Sequence, residues 1–128
     1  DKFGLHAGIE ELCAELIEDG AIAIHYENNL DFDFKENNRH IHIFRILQEL
    51  FANSIEHGKA TSISVFFDEI DGKRTCKYSD NGIGFDLNQL ADHKGLGMRN
   101  VVSRVAVLGG NLSIESQMNN GISVIFNF

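Results

Sequence analysis

The stretch from Ile41 to Lys59, IHIFRILQELFANSIEHGK, constrains the fold more than any other part of this chain. Ile43, Ile46/Leu47, Leu50/Phe51 and Ile55 recur with a helical period and form one broad apolar face, which needs a second layer to cover it. Glu49 and Asn53 are four residues apart, so they stand on the same side of that helix, one turn from each other, at the margin of the apolar stripe. Pairs at this spacing are ordinary on a helix edge. Two glycine motifs downstream raise the weight of this one: Asp80-Asn81-Gly82-Ile83-Gly84, and Gly95-Leu96-Gly97 ahead of a second helix. An acid and an amide on a helix, a D-x-G-x-G turn and a glycine loop before a helix suggest a nucleotide held by Mg²⁺ and backbone amides.

The remaining segments supply the layer that the helix needs. Leu5 to Glu18 carries Leu5, Ile9, Leu12/Cys13 and Leu16/Ile17 at helical spacing, with Gly20 placed as a C-terminal cap. Ala21 to Tyr26 reads as a short strand, and Asp31 to Asn38 as an edge segment plus loop. Thr61 to Ile70 alternates and is rich in β-branched and aromatic residues. Asp71-Gly72 signals a hairpin, with Lys73 to Ser79 as the returning strand. A polar stretch runs from Asp86 to Lys94. The second helix starts around Gly97, runs through Val101, Val102, Val105 and Leu108, and stops at Gly109-Gly110. Asn111 to Ser116 and Ile122 to Phe128 read as two strands around Asn119-Asn120-Gly121. Proline is absent, so the turns rest on Gly, Asn and Asp. The order α-β-α-β-β-α-β-β predicts a two-layer α/β sandwich, a mixed sheet with helices on one face, as one domain over residues 1–128.

Charge and cysteine content narrow the function classes. Lys plus Arg number 11 against 19 Asp plus Glu, a net charge of -8, which argues against nucleic acid as the main partner. An anionic nucleotide therefore needs local help from a cation, Lys or Arg, or helix N-termini. Cys13 and Cys76 have neither zinc-ligand spacing nor the density of a disulfide framework, which fits a reduced, cytoplasmic compartment. His40 and His42, two apart, do not share a helix face, so a zinc site there is not expected. No segment reads as a signal peptide or a membrane span. The first residue is Asp1 rather than Met, so the chain is expected to be a piece excised from a longer protein.

Each motif has a chemical and a plain reading. The Asn53 amide oxygen can ligate a hard cation without adding charge, and Glu49 can order or deprotonate a water on that cation; the plain reading is a solvated helix edge. Asp80 can accept a hydrogen bond from the exocyclic amine of adenine, while Gly82 and Gly84 let the backbone approach a flat ligand; the plain reading is an Asn-Gly turn. Gly95 and Gly97 precede helix amides that can face phosphates. Lys94, Arg99 and Arg104 are the nearby cations, and Arg104 can equally be a surface residue.

Order and spacing together resemble one family, the ATP-binding catalytic domain of sensor histidine kinases, within the group shared with gyrase, the Hsp90 chaperone and MutL. Glu49-Leu50-Phe51-Ala52-Asn53 resembles its asparagine box, and Asp80 to Asp86 its adenine-binding glycine box. Gly95-Leu96-Gly97-Met98-Arg99 through Val105 is similar to the second glycine box of kinases of the NarX/DesK type. Leu5 to Leu16 resembles the helix that opens this domain, and Leu108 to Ser116 its closing hairpin, so the likeness covers nearly the whole chain.

The resemblance implies a Bergerat-type ATP-binding fold with ATP and Mg²⁺ as ligands. Asn53 would hold Mg²⁺, Glu49 would tune its water shell, and Asp80, Gly82 and Gly84 would take the adenine. Lys94, Gly95, Leu96, Gly97, Met98 and Arg99 would cover the phosphates. His57 would contact phosphate or only finish the helix. It further implies that the γ-phosphoryl passes to a histidine on a separate helical dimerisation domain, and from there to a response regulator. The isolated chain would be a monomer, and the full-length protein a homodimer with or without a membrane anchor. None of the six histidines here has the family's basic, His-Asp/Glu helical context. Three positions depart from the family. Glu56 stands where many members carry Lys or Arg, Ile122 where a Thr is usual with Ser123 beside it as a substitute, and the stretch between the glycine boxes is short. The segment Asn53 to Gly58 is also similar to the box of anti-sigma-factor serine kinases, and a nucleotide-binding module without transfer activity is the third alternative.

Overall fold

In the computed structural model, residues 4–20, 22–30, 38–84 and 98–128 are described. Helix α1 spans Leu5–Asp19 and buries Leu5, Ile9 and Cys13 along one face. Gly20 follows in an extended conformation, φ -156° and ψ 179°, so the expected glycine cap is a straightened exit rather than a left-handed one. Strand β1 covers Ala23–Asn28 and helix α2 Arg39–Ala52, entered through Asn38 in a left-handed conformation. The chain then widens into a π-turn over Asn53–His57, closed by the Gly58 N–H on the Asn53 carbonyl at 2.8 Å. The organising helix is thus present, but its last turn is π rather than α.

Strands β2 (Ser62–Ile70) and β3 (Lys73–Asp80) form the expected hairpin. Asp71 and Gly72 both have positive φ, 52° and 77°, which is what a two-residue type I′ turn demands. Helix α3 (Met98–Val107) buries Met98, Val101 and Val105, and Gly109 at φ 74° ends it. Strands β4 (Leu112–Ser116) and β5 (Ile122–Asn127) close the fold. The expected edge segment at 31–37 and the polar stretch at 86–94 lie outside the described residues.

The five strands order as β1-β2-β3-β5-β4, with β1 parallel to β2 and every other pair antiparallel. Register aligns Val65 with Tyr78 and Tyr78 with Val124, and likewise Phe67 with Cys76 and Cys76 with Phe126. These rows are buried, whereas the alternate residues Ser62, Lys77 and Ile125 are exposed, so one sheet face carries the core. Ile43, Ile46, Leu47, Leu50 and Phe51 of α2 join the same cluster with α1 and α3, giving the two-layer α/β sandwich. Each fully buried Phe, Leu, Ile or Val contributes roughly 1.5–3 kcal/mol, so this layer contact is what holds α2 against the sheet. Among the described residues no helix is long and apolar enough to cross a membrane.

Both cysteines are buried and free. Burial, and then the neighbouring Glu10, push the Cys13 thiol up from 9.0 to about 11, and burial alone pushes Cys76 up further. The thiolate is the reactive form, so neither thiol is expected to react with an alkylating reagent at pH 8 in the folded chain. Both should react once it is unfolded, and timed thiol titration with and without denaturant measures this. A raised acid pKa means that the neutral thiol favours the folded state. The Cys13 contribution is therefore complete below pH 9 and is lost as pH rises through about 11.

Candidate functional site

The alternation of β3 sends Tyr78 and Asp80 to the helix-covered face, where the π-turn meets the end of the strand. Asp80 is half-buried, and both of its oxygens are engaged. Its Oδ1 accepts the backbone N–H of Gly82 at 3.0 Å and that of Ile122 at 3.1 Å, and its Oδ2 accepts the Ser54 hydroxyl at 2.5 Å. Hydrogen bonds to an ionised acceptor are the strong ones, so the side chain is held in one orientation. Behind it, the Tyr78 hydroxyl oxygen lies 2.5 Å from Ser54 Oγ and 2.9 Å from the Leu50 carbonyl oxygen. Burial pushes the Tyr78 pKa well up, so this phenol stays protonated and serves as a donor.

Two glycines make the close approaches possible. A Cβ on Gly82 would fall 2.4 Å from the Gly58 carbonyl oxygen, and the adjacent Ile83 N–H donates to that same oxygen at 2.8 Å. The D-x-G turn is thereby seated on the end of the π-turn. Gly121, at φ 74°, lets the β4–β5 connection pass the strand end; a Cβ there would sit 2.1 Å from the Asp80 carbonyl oxygen. The Asn81 side chain turns the other way. Its Oδ1 accepts the N–H groups of Thr61 and Ser62, each at 2.9 Å, which fastens the turn to the start of β2.

The first residue of the π-turn, Asn53, is half-buried, and its amide donates to the buried Met98 sulfur at 3.7 Å, joining α2 to the first turn of α3. Glu49 stands one turn before it, also half-buried, while His57, Glu56 and Arg99 are exposed. The structure thus links Asn53 to Met98 and, through the next residue Ser54, to Asp80 and Gly82, with Glu49 one turn before Asn53 on α2 and Gly84 two residues beyond Gly82 at φ 64°. Lys94, Gly95, Leu96 and Gly97 lie outside the described residues.

Ser123 does not join this group on the helix side. It pairs with Ser79 and Glu115, and the alternation of β5 turns Ile122 inward and Ser123 to the other face. What reaches Asp80 from this strand is the Ile122 backbone N–H. Arg104 is likewise committed elsewhere, donating to His42 Nδ1 at 3.1 Å between α3 and α2. Among the described residues, no group of three or more His, Cys, Asp or Glu could hold a metal ion. A hard cation of the Mg²⁺ type takes one or two neutral or acidic protein oxygens and completes its shell with phosphate and water. Asn53 and Glu49 offer that donor set.

Ser54 and Tyr78 are the site residues that the sequence does not single out. Tyr78 carries a hydroxyl at a strand position where the pattern calls for an apolar residue, and Ser54 sits beside Ile55, the residue that the helical period puts inside. A buried Tyr usually finds a hydrogen-bond partner, and that is the signal by which the pair could be found.

Residues 38–128 match the model of the histidine kinase-, DNA gyrase B- and HSP90-like ATPases. The chain belongs to this ATPase family. It is 32% identical over 94 residues to the sensor histidine kinase ComP of Bacillus subtilis, covering 73% of this chain and 12% of ComP. It is 31% identical over 118 residues to the sensor histidine kinase MctS of Rhizobium johnstonii, covering 91% of this chain and 26% of MctS. The chain therefore spans only a fraction of the curated relatives that it matches. Among solved structures, the histidine kinase domain of the Erythrobacter litoralis EL346 blue-light activated kinase superposes with a TM-score of 0.79 at 18% identity, covering 98% of this chain and 64% of that one. The catalytic domain of the histidine kinase ThkA superposes with a TM-score of 0.72 at 21% identity, covering 98% and 91%. Full-length ShkA in complex with AMPPNP gives 0.72 at 20% identity, covering 96% and 28%. As a fold, the ATPase-family sandwich expected from the sequence is the one found.

Proposed function

We propose that this chain binds Mg²⁺-ATP and donates the γ-phosphoryl group to a histidine on a separate helical dimerisation domain, for relay to a response regulator. The observation that carries the reading is the Asp80 carboxylate, fixed by Gly82, Ile122 and Ser54 beside a helix that presents Asn53. A fixed acceptor suits the exocyclic amine of adenine. Asn53 would hold Mg²⁺ against the phosphates and Glu49 would order its water, with the stretch from Lys94 to Arg99 as the cover over the phosphates. His57, exposed at the end of the π-turn, would meet phosphate or only finish the helix. Catalysis of this kind is positioning and charge neutralisation. In the transfer itself, a neutral imidazole nitrogen of the acceptor forms the P–N bond as the bond to the β,γ-bridging oxygen breaks, and ADP leaves with that electron pair. The sensor histidine kinases among the relatives support this acceptor. The net charge of -8 supports a protein rather than a nucleic acid as partner, and the free, reduced thiols suit the cytoplasm.

Three of the described histidines are poorly placed as acceptors. His6 is bonded to Tyr26 at 2.8 Å and to Glu10 at 3.0 Å, His25 faces away from the helices on β1, and His42 holds Arg104. Incubated alone with γ-labelled ATP, the chain is expected to bind nucleotide and acquire no label. A dimerising helical segment bearing a histidine, added as a separate protein, should become labelled. Transfer should be slow, because the tether that raises effective concentration is missing. Stoichiometric acid-labile label on the chain's own histidines would overturn the reading. Acid-stable label on a serine of a separate protein would replace it with a serine kinase, and binding with no transfer to any acceptor with a nucleotide-binding module.

A further inference from the structure

Behind Asp80 the structure holds more hydroxyl contacts than hydroxyl protons. Ser54–Asp80, Ser54–Tyr78 and Tyr78–Leu50 are three contacts, and only Ser54 and Tyr78 carry an O–H. The ionised carboxylate and the Leu50 carbonyl can only accept. Ser54 therefore gives its proton to one partner, and the Tyr78 proton is contested between Ser54 Oγ at 2.5 Å and the Leu50 carbonyl at 2.9 Å. That carbonyl already shares the Asn53 N–H with the Glu49 carbonyl, so it loses least when Tyr78 turns toward Ser54. The consistent arrangement runs Tyr78 to Ser54 to Asp80, each donor pointing at the carboxylate.

The carboxylate itself is nearly saturated. Two oxygens offer about four acceptor positions. The Gly82 and Ile122 amides take two on Oδ1 and Ser54 takes one on Oδ2, which leaves a single acceptor position, on Oδ2. We infer that Ser54, oriented by Tyr78, is the positioning residue that fixes Asp80 Oδ2 with one lone pair open for the amine of a 6-aminopurine, and so sets the base specificity of the site. This rests on the adenine reading of Asp80. Without the Ser54 hydroxyl, Oδ2 is held only through the bonds to its twin oxygen and its aim is lost. The triphosphate would be held as before.

The test compares the affinity of the whole chain for ATP and for purine riboside triphosphate, which has hydrogen in place of the 6-amino group. Ser54→Ala should cut the preference for ATP about tenfold, the size of one charge-assisted hydrogen bond, and leave the affinity for the purine nucleotide unchanged. Tyr78→Phe should cut it in the same direction, about threefold. A purely structural role would weaken both nucleotides together, and that result, or an unchanged preference, would overturn the inference. Should Ser54→Ala fail to fold, Tyr78→Phe decides: a lowered preference supports the inference and an unchanged one overturns it. Asp80→Asn tells the role of Ser54 apart from that of Asp80. If it leaves the preference intact, the adenine reading itself is wrong; if it removes the preference and Ser54→Ala does not, only the role of Ser54 falls.

Discussion

Asp80→Asn is expected to weaken ATP binding about a hundredfold while leaving the chain folded, and to erase its preference for ATP over GTP. The amide oxygen of Asn can still accept the Gly82 and Ile122 N–H groups that now bond Oδ1. Its NH₂ then lies where Oδ2 lies and donates to Ser54, which can pass its own proton to Tyr78. The network stays satisfied, so the stability change should be small. The ligand sees the reverse of what it saw before. The amine of adenine meets a donor instead of a charged acceptor, losing a charge-assisted bond and gaining a repulsion, together roughly 2.7 kcal/mol. The 6-carbonyl of guanine is an acceptor and finds a donor. Calorimetric titration of both nucleotides, with circular dichroism to confirm folding, measures this. Unchanged ATP/GTP selectivity in a folded variant would remove Asp80 from the base site.

Period and turn chemistry carry most of the architecture. The stripe of α2 follows from Ile43, Ile46/Leu47 and Leu50/Phe51, all buried, and the β2–β3 hairpin from Asp71-Gly72, whose positive φ values are a local demand. The β4–β5 hairpin follows in the same way from Asn119 and Gly121, both with positive φ. The end of α2 is not legible. Apolar spacing does not distinguish an i→i+5 turn from an i→i+4 turn, and only the Gly58–Asn53 bond and the seating of Gly82 on Gly58 reveal it. For the same reason the helical period puts Ile55 inside, whereas in the structure Ser54 is buried and Ile55 is half-buried. In the candidate site, the residues legible in sequence are those whose chemistry is unusual for their surroundings: an acid before two glycines, an amide on a helix margin. Ser123 follows Ile122 directly in sequence, but strand alternation places such neighbours on opposite faces, so it cannot stand in for it. Ser54 and Tyr78 escape because each looks like filler in a hydrophobic pattern until the strand is laid against the helix.

The other large effect is expected at Asn53. Asn53→Ala should reduce phosphoryl transfer to the helical acceptor more than a hundredfold and Mg²⁺-ATP affinity about tenfold, while adenosine binding stays unchanged. Asn53 opens the π-turn one helical turn after Glu49, and its amide reaches Met98 at the start of α3. The part of the site that fixes Asp80 uses Ser54, Gly82 and Ile122 and makes no use of the Asn53 side chain in those bonds. Removing the amide should therefore leave the base position intact. Its bond to Met98 ends on a thioether, a weak acceptor, so the loss of that bond should cost near or below about 1 kcal/mol. The loss that matters is an uncharged oxygen for a hard cation, whose shell is otherwise phosphate and water. Binding feels this only through the cation, whereas transfer needs the phosphates in line with the acceptor, where a misplacement of about 1 Å is worth roughly a hundredfold. Measuring adenosine, ATP with Mg²⁺, and ATP with a chelator separates the two contributions. Equal losses for adenosine and Mg²⁺-ATP in a folded variant would mean that Asn53 shapes the whole pocket and holds no cation.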